Sequence, residues 1–382
     1  MRSASLRVVI AGGGTGGHLY PGVAVARELL RRHTDAHVTF VGTIRGLEAR
    51  VLPREGFELD TIRSTGVKGK AVADRVRGVT VLPLSLIDAW RVLSARRPGI
   101  VIGVGGYSSG PVVLLAALRR IPTLVLEQNA VPGLTNRLLA PFVRAAAVTF
   151  DSTRRFFGDK AFVSGNPVRA EFLEAMEGDT SHTDGAREAT VNRLGRAGER
   201  PPARVLVFGG SQGAHAINAA MSEAAPLLAA AGAPVPTIVH QTGDRDLDAV
   251  RSAYAAAGIT ADVQPFVYDM GRQLRAADLV VCRAGATTLA ELTAAGRPSI
   301  LIPLPTATDD HQRRNAEAMA AAGASEVLLQ SEATGERLAD RIRALAADGD
   351  RRASMASAAR RVARPDAARV IVDHVLSLVA AG

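Results

Sequence analysis

The sequence predicts an α/β protein of two Rossmann-like halves, each a parallel sheet flanked by helices, facing one another across a cleft. Three observations carry that prediction. Short β-branched runs alternate with longer amphipathic segments, the pattern of parallel strands joined by helical crossovers. The alternation runs once from Arg7 to Phe150 and a second time from Arg204 to Pro305. Glycine-rich turns close several of the strands at their carboxyl ends, where doubly wound sheets hold their ligands.

In the first half the strands are "RVVIAG", "HVTFVG", "IVIGVGG", "PTLVLEQ" and "AAAVTF", separated by helices such as "PGVAVARELLRRH". In the second they are "RVLVFGGSQG", "PTIVHQTG", "DVQPFV", "LVVCRAG" and "SILIPLP". The segment "VSGNPVR", Val163 to Arg169, reads as the crossover between halves, which sets domains of 1–167 and 168–365. Residues 366–382 are expected to form a helix that packs back on the first domain. Residues 178–202 are polar and rich in glycine and charge, and read as a surface stretch without a function.

Composition limits the function classes. A chain of 382 residues with 47% hydrophobic residues can build two cores. Its one cysteine, Cys282, excludes a disulfide framework and a multi-cysteine zinc site. No apolar run is long enough for a signal peptide or a membrane span, so a soluble or peripheral protein is expected. The net charge of +9 calls for an anionic partner. With only 4% aromatic residues and no zinc-finger, RNP or basic-zipper pattern, nucleic acid is not expected to be that partner.

The stretch "VVIAGGGTGGH" contains a formal GxGxxG match at Gly12, Gly14 and Gly17. A dinucleotide site needs an acidic residue at the end of the second strand to hold the ribose hydroxyls. That strand ends in Gly42 and Thr43, and Asp35 lies before it, so no nicotinamide or flavin cofactor is expected. The glycines instead predict a tight strand-to-helix turn whose N–H groups suit an anion. Similar turns occur at Gly103 to Pro111, Phe208 to Ala214 and Cys282 to Pro298. Ser211, Gln212 and Gly213 can present hydroxyl, amide and backbone donors to a diphosphate, and Gly285 to Thr288 can do so at a second helix start. Glu291, one helical turn past Thr287, is either a ribose ligand or a solvated helix carboxylate.

The motifs "GGTGGH", "GGYSSGP", "EQNAVPGLTNR", "GNPVR", "GGSQGA", "CRAGATTLAE" and "DDHQRRNA" follow one another in the order and spacing of the MurG family, which the chain resembles over nearly its whole length. The resemblance implies the two-domain GT-B glycosyltransferase fold. It also implies transfer of N-acetylglucosamine from UDP-N-acetylglucosamine to the lipid-linked muramyl-pentapeptide, converting lipid I to lipid II in peptidoglycan synthesis. The acceptor would sit on the first domain and the donor nucleotide mainly on the second. Thr15, Gly16, Gly17 and Asn129 would then face the donor sugar. Arg169, Ser211 and Gln212 would lie near the diphosphate, and the backbone of Val267 would address the uracil. Ala286, Thr287 and Thr288 would wrap the diphosphate and ribose, with Glu291 on the ribose hydroxyls, and Gln312 would hydrogen-bond the sugar. The resemblance further implies cell-wall synthesis proteins as partners and a peripheral position on the cytoplasmic face of the plasma membrane. His215 departs from the Arg or Lys expected after "GGSQGA".

Inverting transfer needs a base for the acceptor hydroxyl and a favourable environment for the departing diphosphate. His18 is the favoured base, because a neutral imidazole with pKa of about 6.5 is available near neutrality. Glu127 is its competitor. No metal or other cofactor is required: Asp309, Asp310 and His311 read as part of the Gln312 loop, and no DxD pair ends a strand. Between Val67 and Pro98, Val76, Val79, Leu82, Leu84, Ile87 and Trp90 are interleaved with Lys68, Lys70, Arg75, Arg77, Arg91, Arg96 and Arg97. That mixture fits an anionic membrane surface, or a helix packed on the sheet with a solvated basic face. The rival functions are another enzyme of the same fold, such as a UDP-N-acetylglucosamine epimerase, and a non-catalytic nucleotide-sugar or nucleic-acid binder.

Overall fold

The structure is a computed structural model, and it describes residues 5–44, 46–64, 72–169, 171–172, 202–210, 213–230 and 235–381, with 72–80 as backbone only. The chain divides into two compact units, Met1–Arg169 with Arg364–Gly382, and Ala170–Ala363. The stretch 178–202 lies outside the described residues.

The first unit holds a seven-stranded sheet in the order β3-β2-β1-β4-β5-β6-β7, and every pairing is parallel. The strands are β1 (Arg7–Gly12), β2 (His37–Gly42), β3 (Glu58–Thr61), β4 (Ile100–Gly105), β5 (Thr123–Glu127), β6 (Ala145–Val148) and β7 (Ala161–Val163). The edge strands β3 and β7 are not among the sequence expectations, and the others are. Because side chains alternate across a strand, each apolar run fills two cores at once. Val8 and Ile10, Ile100 and Ile102, and Leu124 and Leu126 go to one face. Val9, Val101 and Val125 go to the other.

Helix α1 (Gly16–Arg32) covers the first face through Leu19, Val23, Ala26 and Leu29, a spacing of three and four residues that makes one apolar stripe. The second face is covered by α3 (Val72–Arg96), α4 (Ser109–Leu118) and α5 (Leu134–Leu139), while the four-residue α2 (Glu48–Val51) follows β2. The chain's last helix (Ala367–Ala380) returns beside α1, burying Ile371, Val372 and Val375 in the first core. Asp373 of that helix meets Arg32 of α1 at 2.7 Å.

The second unit repeats the design with six parallel strands in the order β10-β9-β8-β11-β12-β13. They are β8 (Arg204–Phe208), β9 (Thr237–Gln241), β10 (Ala261–Gln264), β11 (Leu279–Cys282), β12 (Ser299–Leu301) and β13 (Ser325–Val327). Helices α6 (His215–Ala229), α7 (Leu247–Ala256), α8 (Met270–Ala276), α9 (Ala286–Ala294), α10 (His311–Ala321), α11 (Gly335–Ala347) and α12 (Gly349–Val362) complete it, so the returning helix Ala367–Ala380 is α13. One core joins Val205, Val207, Ile238 and Val281 of the sheet to Ile217, Met221 and Leu228 of α6 and to Leu338 and Ile342 of α11.

Ile371 is 1% exposed and seated in the first unit's core. Ile371→Ala is expected to destabilise that unit by about 2–5 kcal/mol. Trp90, the chain's one tryptophan, lies in the same unit, so its fluorescence during urea unfolding reads the loss directly.

Candidate functional site

In the first unit β1 and β4 are neighbours whose onward connections run to opposite sides of the sheet order, so a crevice opens at their carboxyl ends. Both ends are glycine turns, and they interlock. A Cβ at Gly12 (φ 139°) would lie 2.3 Å from the Gly105 carbonyl oxygen, and one at Gly106 (φ 82°) 2.6 Å from that of Gly13. The Gly13 N–H donates to the Gly105 carbonyl at 3.3 Å. Only glycine combines these φ values with so close an approach.

A buried carboxylate holds the turn from the other side. Glu48, the first residue of α2, is fully buried. Its Oε2 accepts from the Gly14 N–H at 2.8 Å, and its Oε1 accepts from the Thr43 N–H at 2.8 Å and the Thr43 hydroxyl at 2.9 Å. The N–H group at the glycine turn is therefore occupied by the protein's own anion. The Gly14 N–H is therefore not among the donors that this turn can offer to a ligand.

Past the turn, Thr15 is exposed while Gly16, Gly17 and His18 are half-buried in the first turn of α1. His18 Nδ1 lies 3.3 Å from Oε1 of Gln128, the residue after β5. Gly105 backs the imidazole, since a Cβ there would lie 2.7 Å from Nδ1. Glu127, the other candidate base, is 2% exposed. Its Oε1 accepts from the Asn129 N–H at 3.0 Å, and its Oε2 from the Gly133 N–H at 3.1 Å and the Asn136 side-chain amide at 2.9 Å. Burial pushes the Glu127 carboxyl above the usual range, opposed by these donors. Its geometry suits a group that fixes the "EQN" turn, and so the backbone of Asn129. The Arg169 guanidinium lies over the Tyr20 ring of α1, 5.0 Å from its centroid.

The second unit has the corresponding crevice between β8 and β11. Ser211 and Gln212 lie outside the described residues, but their flanks are fixed. The Gln241 amide donates to the Gly210 carbonyl at 2.7 Å, and its Oε1 accepts from the Val267 N–H at 2.9 Å. At Gly213 (φ 72°) a Cβ would lie 1.9 Å from the Thr242 carbonyl oxygen. Behind the turn, Asn218 donates to Asp246 at 2.8 Å and to the Thr242 carbonyl at 2.9 Å, while its Oδ1 lies 3.0 Å from Nε2 of His240. His240 Nδ1 lies 2.9 Å from the Tyr254 hydroxyl. His215, at the start of α6, is tied to Asp246 at 3.0 Å.

Helix α9 starts at Ala286 after Gly285, with Thr287 and Thr288 half-buried in its first turn. Glu291 is 7% exposed, so the alternative of a solvated helix carboxylate does not hold. Gln312, in the first turn of α10, accepts from the Leu304 N–H at 3.0 Å. Before it, Asp309 and Asp310 both take left-handed backbone conformations, φ 55° and 53°. Among the described residues no group of three or more His, Cys, Asp or Glu side chains is placed to hold a metal ion.

Family models agree with the division into two sheets. The N-terminal domain of glycosyltransferase family 28 matches residues 8–148, and its C-terminal domain matches residues 204–371. The chain is 46% identical over 376 residues to the UDP-N-acetylglucosamine–N-acetylmuramyl-(pentapeptide) pyrophosphoryl-undecaprenol N-acetylglucosamine transferase of Anaeromyxobacter sp. (strain K), covering 98% of this chain and 93% of that one. The chain belongs to the MurG family. The crystal structure of Acinetobacter baumannii MurG superposes with a TM-score of 0.75 at 31% identity, covering 97% of this chain and 99% of that one. This member of the family is thus a glycosyltransferase of two Rossmann-like sheets. The UDP-GlcNAc 2-epimerase of Neisseria meningitidis superposes with a TM-score of 0.67 at 15% identity, covering 98% and 100%, and shares the fold alone.

Neither Glu48 nor Gln128 stands out in the sequence. The only signal for Glu48 is an acidic residue shortly after the second strand, and Gln128 is visible only as the middle letter of "EQN".

Burial holds His240 neutral, with its pKa pushed down to about 3. The unfolded chain takes up a proton near pH 6.5 that the folded one refuses, so stability present above pH 6.5 is lost on acidification. The expected slope is about 1.4 kcal/mol per pH unit between pH 6.5 and 4. Urea unfolding of wild type and His240→Gln, followed by circular dichroism, measures it: the variant should show a flatter dependence.

Proposed function

We propose that this chain transfers N-acetylglucosamine from UDP-N-acetylglucosamine to the 4-hydroxyl of the muramyl residue of undecaprenyl-pyrophosphoryl-MurNAc-pentapeptide, with inversion. The second unit takes the donor nucleotide and the first the acceptor. The observation that carries this reading is the contrast between the two crevices. In the first unit a half-buried histidine stands beside the glycine turn, its Nδ1 3.3 Å from the Gln128 oxygen, which suits proton acceptance from a sugar hydroxyl. In the second, the N-terminus of α9 and the glycine turn before α6 present helix-start backbone N–H groups, which suits a diphosphate.

In this reading Thr15, Gly16, Gly17 and Asn129 line the sugar, and Gln312 addresses it through its side-chain NH2, since its oxygen serves Leu304. Val267 addresses the uracil through its carbonyl, because its N–H serves Gln241. Ala286, Thr287 and Thr288 meet the diphosphate, with Ser211 and Gln212, and Glu291 accepts from the ribose hydroxyls. Arg169 is the fixed positive charge that stabilises the departing UDP. His18 takes the proton of the attacking hydroxyl. The bond from the anomeric carbon to the diphosphate oxygen breaks as the new β-1,4 bond forms, and the electron pair leaves with UDP. Glu127 holds the Asn129 turn in place.

The acceptor's lipid places the enzyme peripherally on the cytoplasmic face of the plasma membrane, and the outer helical layer of the first unit supports this. No described helix is long and apolar enough to cross a membrane. Leu82, Ile87, Trp90, Leu118, Leu138 and Phe142 are nevertheless exposed on α3, α4 and the α5 region, with Trp90 at 54% and Leu138 at 66%. Arg119 sits over the Trp90 ring at 4.7 Å, and Arg91, Arg120 and Arg144 are exposed. Cations near anionic headgroups contribute about 1 kcal/mol each. Arg96 is not one of them, because it is engaged by Asp60 at 2.8 Å and Glu58 at 2.6 Å. The side chains of Val76, Val79, Arg75 and Arg77, and all of Lys68 and Lys70, lie outside the described residues.

With a short-chain lipid I analogue, UDP release should depend on acceptor and yield a β-linked disaccharide. His18→Ala should lower kcat by about 10²- to 10⁴-fold with donor KM little changed. UDP-N-acetylglucosamine turnover without acceptor would instead favour an epimerase. Trp90→Glu should weaken flotation with vesicles containing anionic lipid while leaving turnover of the soluble analogue unchanged, and unaltered flotation would move the membrane contact elsewhere.

A further inference from the structure

We propose that Gln128 sets the tautomer of His18, keeping the proton on Nδ1 so that Nε2 carries the lone pair that accepts the hydroxyl proton. The proposal rests on the reading of His18 as base and assigns Gln128 as its positioning residue. The assignment follows from how the Gln128 amide is held. Gln128 is 2% exposed, and its side-chain nitrogen donates to the Val104 carbonyl at 3.0 Å. A reversed amide would set two carbonyl oxygens against each other at that distance, so the orientation is fixed by β4. The Gln128 oxygen is then the atom 3.3 Å from His18 Nδ1. An amide oxygen only accepts, so Nδ1 must bear the hydrogen. In the neutral ring the other nitrogen, Nε2, is then the basic one.

The arrangement works against the ring's own preference, since a histidine side chain in water favours the Nε2–H form. A specific acceptor at Nδ1 is needed to reverse it. Gly105 contributes by lacking a side chain, because a Cβ there would lie 2.7 Å from Nδ1 and displace the ring from Gln128. When Nε2 takes the acceptor's proton, the resulting imidazolium keeps its Nδ1–H bond to Gln128. The same contact therefore serves before and after transfer, and a hydrogen bond from a charged donor is the stronger one. The proton passes to solvent after UDP departs.

The test begins on wild type with ¹⁵N-labelled histidine at a pH of about 8, where an ordinary imidazole is neutral. The His18 signals are those lost in His18→Ala. Expected is a protonated, pyrrole-type Nδ1 and an unprotonated, pyridine-type Nε2; the opposite pattern overturns the proposal. In Gln128→Met, of similar shape but without a strong acceptor, the ring should move toward Nε2–H. There kcat should fall about tenfold and donor KM stay within about twofold. A Gln128→Met protein that keeps Nδ1–H overturns the proposal. A changed tautomer with unchanged kcat supports Gln128 as the tautomer-setting residue and instead removes His18 from the role of base.

Discussion

The first unit's site depends on one buried set of hydrogen bonds, the Glu48 carboxyl group on the backbone of the first glycine turn. Its oxygens accept from Gly14 and from both donors of Thr43, tying the loops after β1 and β2 into one body. A buried carboxylate is stable only when its oxygens are well supplied with donors, so the contact fixes the donors as firmly as they fix it. The Gly12–Gly105 and Gly13–Gly106 approaches lie on the other side of the same turn, and His18 stands one helical turn further on. The same contact withdraws the Gly14 N–H from any ligand.

A second regularity is the use of side-chain amides as two-ended struts at strand ends. Gln128 links β4 to α1 by donating to Val104 and facing His18. Gln241 links the Gly210 turn to the Val267 backbone in the second unit in the same manner. An amide carries both a donor and an acceptor without charge, so it can join two backbone or ring groups in a buried place without the desolvation penalty of an ion. These struts set which backbone groups at each sheet edge stay available to a ligand.

The central strands were legible because their apolar runs are long enough to mark burial on both faces. The edge strands "ELDT", "AFV" and "SEV" were not: they are short and half-polar, as edge strands tend to be, and a pattern of three or four residues does not separate them from loops. The glycine turns were legible as turns, since few other sequences put so many glycines after a strand. That Glu48 takes up the Gly14 N–H was not legible. Gly14 and Glu48 are 34 residues apart, and the bond runs to a backbone N–H, which leaves no trace in residue type. Glu291 shows the same limit: its helical position was readable, but its burial is set by the packing of α9.

The returning helix α13 gives the chain an unusual order of completion. The second unit is contiguous in sequence, and all of its core precedes Arg364. The first unit is not, because Ile371, Val372 and Val375 belong to its core and are synthesised after the whole of the second unit. The first unit's core is thus completed only by residues made after the second unit, and its apolar face beside α1 stays uncovered until they arrive. A message truncated shortly after residue 363 would yield a well-formed second unit joined to a first one with its core open, the kind of species that quality-control proteases and chaperones recognise.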